Sequence, residues 1–205
     1  MEEKIEIEDY SKEIENFKKE HSLDIEHQIT SNGGLGPTVT IFAKPEKNPD
    51  PDGRFAVFVM PIPNDFFKSA DDKKNIVKVI LQSFYKIENE GFKILTYAWS
   101  SEVWVRSQHI DEKVDDIDSL PKKEAVFTLY ETEKEISCEV SDIIREGKIA
   151  NTEGELIDCI VLKKNKDFSS DADAPKFAGQ FSNLFKKYRE LKSEFETEFA
   201  KEFQK

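Results

Sequence analysis

Apolar residues fall into two rhythms along this chain, and the switches between them mark its elements. Over residues 5–21, Ile7, Tyr10, Ile14 and Phe17 recur at spacings of three and four, with acids and lysines between them. That spacing predicts a short helix with a narrow apolar stripe, stopped by SNGGLGP at Ser31–Pro37. Two strands are expected next, Thr38–Lys44 and Arg54–Met60. The second is apolar at consecutive positions, which predicts a central strand buried on both faces. The PEKNPDPDGR between them carries three prolines and a glycine and reads as a hairpin-type loop.

A helix is expected over residues 70–90, its buried face formed by Ile76, Val77, Ile80, Leu81, Phe84 and Ile87. Ser69 with Asp72 makes a capping box, and Gly91 supplies the stop. Phe92–Trp99 is a third strand that extends through Arg106, and Ala125–Tyr130, Glu135–Val140 and Leu156–Leu162 are three further strand-like runs. After the polar linker NKDFSSDADAP, the residues from Pro175 to the end predict one long helix lined by Phe177, Phe181, Leu184, Tyr188, Leu191, Phe195 and Phe199.

The order is helix, two strands, helix, several strands, helix, with no recurring strand–helix–strand series. That excludes a doubly wound parallel sheet and predicts a single α+β domain: a mainly antiparallel sheet with helices on one face, a packed central helix and a long C-terminal helix. Residues 1–30 form the N-terminal helical segment, 31–164 the α+β core, and 165–205 the linker and terminal helix. This element order resembles the roadblock and profilin-like architectures and, more loosely, the PAS and GAF sensory folds. Fold likeness alone implies no activity.

Composition narrows the partners. The chain has 205 residues with 42 acids against 30 bases, a net charge of −12. A phosphate-binding surface needs clustered Lys and Arg, and no such run with interleaved aromatics is present, so direct nucleic-acid binding is not expected. The same charge disfavours anionic membranes. Sixteen Phe supply a core despite 35% charged residues. The acidic MEEKIEIEDY is unlike an export signal, and Cys138 and Cys159 form no Cys-x-x-Cys pair; a cytoplasmic protein with reduced cysteines is expected.

Several stretches suggest chemistry and fall short of it. SNGGLGP follows a helix and precedes a strand, the reverse of a phosphate-cradling loop. Asn48–Gly53 begins like a calcium loop, but Val59 stands where the bidentate Glu is needed. Asp111, Glu112, Asp115, Asp116 and Asp118 crowd one loop beside His109, without the rigid frame a metal requires. Three His and two Cys give no zinc pattern. Glu131, Glu133, Lys134 and Asp158 do not make the Asp with Glu-x-Lys of a magnesium nuclease. No cofactor or metal is expected.

The most distinctive stretch is AWSSEVWVRS, Ala98–Ser107, which holds both tryptophans. Extended, it points Ser101, Val103 and Val105 to one face and Ser100, Glu102, Trp104 and Arg106 to the other. No nucleophile elbow surrounds Ser101. Trp99 and Val103 are expected in the core, with Glu102 paired to Arg106 or a lysine, and Trp104 exposed beside charges as in a recognition surface. The strand ending in Ser101, Glu102 and Trp104, followed by an acidic loop and by Pro121, Lys123 and Glu124, resembles a group of uncharacterised proteins of phage and bacterial genomes. That resemblance implies a viral or mobile-element setting and carries no activity.

A second surface is expected on the terminal helix. About thirty helical residues would span about 45 Å, so the stripe through Leu191, Phe195, Phe199 and Phe203 would overhang a domain of this size and meet another subunit or protein. Together these features describe a non-enzymatic acidic interaction or adaptor protein, self-associating or bound to another protein. The alternatives are a carboxylate-dependent hydrolase or nuclease around Glu102 and residues 109–118, and a PAS-like small-ligand sensor.

Overall fold

The computed structural model describes residues 9–46, 54–63, 67, 69–105, 121–150, 154–165 and 179–202. The Asn48–Gly53 loop, Arg106, the acidic stretch 109–118, Phe177 and Phe203 lie outside them. The elements are α1 (Ser11–Asn32), β1 (Thr38–Pro45), β2 (Ala56–Pro61), α2 (Ala70–Asn89), β3 (Phe92–Val105), β4 (Lys123–Glu131), β5 (Ile136–Ala150), β6 (Leu156–Lys164) and α3 (Leu184–Glu202). The six strands form one sheet in the order β2-β1-β3-β4-β5-β6. Every pair is antiparallel.

Because β2 and β3 both run antiparallel to β1, they are parallel to each other, and α2 makes the crossover such a pair requires. The remaining strands follow as a meander. The α+β reading therefore holds, with a packed central helix and a C-terminal helix. The placement of β2 does not hold. It is an edge strand, and alternate residues Val57 and Val59 are 53% and 62% exposed. A six-residue apolar run carries no information about which strands flank it, so its composition misled.

Helices cover both faces rather than one. On the first, α2 and α3 pack over Val39, Ile41, Tyr97, Trp99, Phe127 and Leu129. The capping box of α2 forms as expected, with the Asp72 amide donating to Ser69 Oγ at 3.0 Å, and Gly91 (φ 90°) ends the helix. On the second face lies α1, which continues past residue 21 through Ile25 and Ile29 to Gly33. Its stripe is longer than the apolar pattern indicates because His21 occupies one of its inward positions.

A bulge in the β1–β3 pairing, between Phe42 and Ala43, lets Ile94 and Tyr97 face the same layer. β5 is also longer than the Glu135–Val140 run, extending to Ala150 across a second irregularity between Arg145 and Lys148. Its added half, SDIIREGKIA, is charged and holds Gly147, which hides the strand period.

The terminal helix is shorter than expected. A 3-10 turn at Gly179–Phe181 is followed by Asn183 in the left-handed region (φ 58°), and α3 begins at Leu184. Its 19 residues span about 28 Å, a length matched by α2 beside it. Phe195 is 1% exposed and packs with Tyr85, while Phe199 stacks on Tyr85 at 5.0 Å. Leu191 packs against the same core. The surface expected to meet a partner at Leu191, Phe195 and Phe199 is thus covered by the chain's own α2. Among the described residues no helix is long and apolar enough to cross a membrane.

Candidate functional site

The two tryptophans of β3 point to opposite layers, as their odd and even positions require. Trp99 is 7% exposed and stacks on Phe181 at 4.8 Å. Trp104 is 65% exposed. The same alternation separates the serine from the acid of the Ser-Glu-x-Trp motif. Ser101 is buried on the α2–α3 side, its hydroxyl donating to the Glu102 carbonyl at 3.0 Å. Glu102 and Trp104 lie on the α1 side, so these three side chains form no common site.

Glu102 does not depend on a lysine. Its Oε1 accepts the Leu35 amide at 2.5 Å, which ties β3 to the glycine loop after α1. Gly33 (φ 74°) closes the helix by donating its amide to the Ile29 carbonyl at 2.9 Å. At Gly34 an added Cβ would meet Glu102 Oε1 at 3.0 Å, so the carboxylate reaches Leu35 across a residue with no side chain. The loop that resembled a phosphate cradle is a receptor for one of the chain's own carboxylates.

Around Trp104 the sheet assembles residues that sequence reasoning did not join. Trp104 pairs with Glu124 on β4. Glu124 Oε2 accepts Arg145 Nε from β5 at 2.9 Å, and Asp158 Oδ2 on β6 accepts Arg145 Nη1 at 3.2 Å. The guanidinium holds its proton more tightly than usual, chiefly through the Glu124 hydrogen bond and then through the nearby charges of Glu124, Asp158 and Glu102. Beside this row, Lys148, exposed Leu156 and Asp158 line a hollow of about 290 Å³ with residues 30–33 at the end of α1. An indole, a fixed guanidinium and two carboxylates therefore lie on neighbouring strands at the margin of α1. No local signal linked them, because Arg145 and Asp158 join Trp104 only through strand order.

Beneath α1 the layer is divided by a polar row. Thr38, Ser100, Thr128 and Glu139 stand opposite one another across β1, β3, β4 and β5. Ser100 and Thr128 share a hydrogen bond at 3.2 Å, and Ser22 of α1 donates to Glu139 Oε2 at 3.1 Å. The row separates the Phe17–Phe42–Tyr130 cluster from the Ile25–Ile29–Val126 cluster. His21 faces this seam, with Nδ1 3.2 Å from the Tyr130 hydroxyl. Burial lowers His21 to about 4, against the opposing fields of Asp24 and Glu139, so the imidazole is neutral near pH 7.

Glu131, one of the acids that fail the nuclease pattern, is 3% exposed at the end of β4. Its carboxylate accepts Tyr97 Oη at 2.5 Å, the Asn183 amide at 2.6 Å and the Phe185 amide at 3.2 Å. It caps α3 from across the sheet. Burial raises its pKa against the pull of those donors. Every donor around it belongs to the fold, so this is an internal support and not a reactive site.

Among the described residues no three His, Cys, Asp or Glu side chains are grouped to hold a metal ion. Glu102, Glu124 and Asp158 are each held by an amide or by Arg145. Cys138 and Cys159 form no disulfide with each other, and each is half-buried. The chain matches no family model, no curated protein and no solved structure.

Proposed function

We propose that this chain is a non-enzymatic acidic interaction protein, an adaptor that works through protein–protein contacts centred on Trp104. The observation that carries the reading is the 65% exposure of Trp104 beside the Glu124–Arg145–Asp158 network. A large aromatic side chain held in water forgoes about 2 kcal/mol of burial free energy, and a contacting partner recovers it. The neighbouring charges lose little freedom on binding, since Arg145 is already held by two strands. Exposed Trp with a flanking Arg is the composition of an interface hot spot.

The carboxylate-hydrolase alternative draws less support. Of its candidate acids, Glu102 is engaged by the Leu35 amide, residues 109–118 lie outside the described residues, and Ser101 faces the other layer.

Sedimentation of the full chain, with photo-crosslinking from a benzoylphenylalanine placed at position 104, tests the proposal. A partner, either a second copy or another protein of the source cell, should crosslink from position 104 and not from exposed Leu23. Trp104→Ala should weaken that association about tenfold or more. Association unchanged by Trp104→Ala, or no specific crosslink, would sink the reading.

A further inference from the structure

A second surface lies at the opposite part of α1 and does not rest on the Trp104 reading. The helix starts over β1 and β2, where Tyr10 meets Phe55 at 6.3 Å and Phe17 stacks on Phe42 at 4.8 Å. It ends over β4, β5 and β6, where Ile25 and Ile29 pack with Val126, Ile143 and Ile160. It therefore crosses the strands obliquely and leaves a wedge over β2 uncovered, where Val57 and Val59 are exposed. A crevice of about 80 Å³ remains there, its floor including Thr40, Val57 and Val59 and its helical wall including Glu20, Asp24 and Gln28.

Three features of this wedge converge. The first is the open edge: β2 pairs with β1 and, among the described residues, with no other strand. Among the described residues, no strand takes up the alternate backbone groups along that edge, which a further strand would pair with. The second is the sparse protection. Residues 56–60 include no charged residue and no proline, Pro61 blunts only the end of the strand, and the described β1–β2 pairing is unbroken by a bulge, whereas exposed edges are ordinarily blunted by Lys, Pro, bulges or inward charges. The third is charge: the crevice is lined by two carboxylates and by no Lys or Arg. A second copy would bring a surface of the same net sign, from a chain of net charge −12.

The geometry points to β2 as a docking edge for a basic, extended segment of another protein. The segment would add a strand beside β2, set its apolar side chains next to Phe58 and Met60 on one face, and direct Lys or Arg past Val57 and Val59 toward Glu20 and Asp24 on the other. Main-chain hydrogen bonds would supply affinity and the two carboxylates the choice of partner.

Fluorescence anisotropy of the full chain with labelled acetyl-Lys-Val-Lys-Val-Lys-Val-Lys-amide tests this. Binding should weaken about tenfold or more in Val59→Lys, and equally in Glu20→Lys/Asp24→Lys, which alters a different element at exposed positions. The Lys-Pro alternating peptide of equal charge, unable to complete the ladder, should bind at least about tenfold more weakly. Trp104→Ala should bind the Lys-Val peptide like wild type, which separates this surface from the one above. Equal binding of the Lys-Pro or a Glu-Val peptide, or no Lys-Val binding by a folded chain, would overturn the proposal. So would a dimer that Val59→Lys converts to monomer, which would make a second copy the occupant.

Discussion

Glu131 and Asn183 are 52 residues apart in the chain, yet the Asn183 amide donates to Glu131 Oε2 at 2.6 Å. That bond, with the one from Phe185, ends β4 and begins α3 on the same carboxylate. It fixes where the terminal helix starts and therefore which of its residues meet α2.

Removing this cap should be costly although no apolar contact is lost. Glu131→Ala leaves the Asn183 and Phe185 amides without their acceptor and the Tyr97 hydroxyl with only the Phe181 carbonyl, and is expected to destabilise the fold by about 3 kcal/mol. Urea denaturation measures it. A loss below 1 kcal/mol, as an order of magnitude for a surface site, would mean that α3 is held by its apolar face alone.

The packing of α3 gives a second prediction. Phe195→Ala should cost about 4 kcal/mol as a buried aromatic truncation. Phe199→Ala, half-buried against Tyr85, should cost about 2 kcal/mol. Ending the chain after Arg189 should lower the thermal midpoint sharply, because α2 loses its cover. Equal stability of full and shortened chains would show that Leu191, Phe195 and Phe199 are dispensable to the monomer.

The two tryptophans should behave oppositely. Trp99→Ala is expected to cost about 3–5 kcal/mol, whereas Trp104→Ala should stay under about 1 kcal/mol. Chemical denaturation compares them directly, and equal large losses would place Trp104 in the core.

His21 should make stability depend on pH. Its folded pKa is lowered from 6.5 to about 4 by burial, so the unfolded chain binds the proton first. The contribution is fully present above pH 6.5 and is lost as pH falls through the window down to about 4. The integrated loss is about 3 kcal/mol at most. Denaturation midpoints across that window should fall more steeply for the wild type than for His21→Phe. Parallel profiles would show that His21 is not a source of the slope.

How far the chain announced this structure depends on the range of each interaction. The bounds of α2, its Ser69–Asp72 cap, the Gly91 stop and the opposite facing of Trp99 and Trp104 were legible, since each follows from the spacing of residues within one element. Tertiary contact decided the rest. His21 is a polar residue in an apolar stripe, and it fits there because the Thr38–Ser100–Thr128–Glu139 row lies beneath it. β2 reads as central because all its residues are apolar, yet its place at the edge depends on β3 pairing with β1 on the other side. Arg145 and Asp158 meet beside Trp104 through an antiparallel order of four strands. Periodicity records whether a residue faces inward or outward, whereas neighbours across a sheet are chosen by the summed packing and hydrogen bonding of segments distant in sequence.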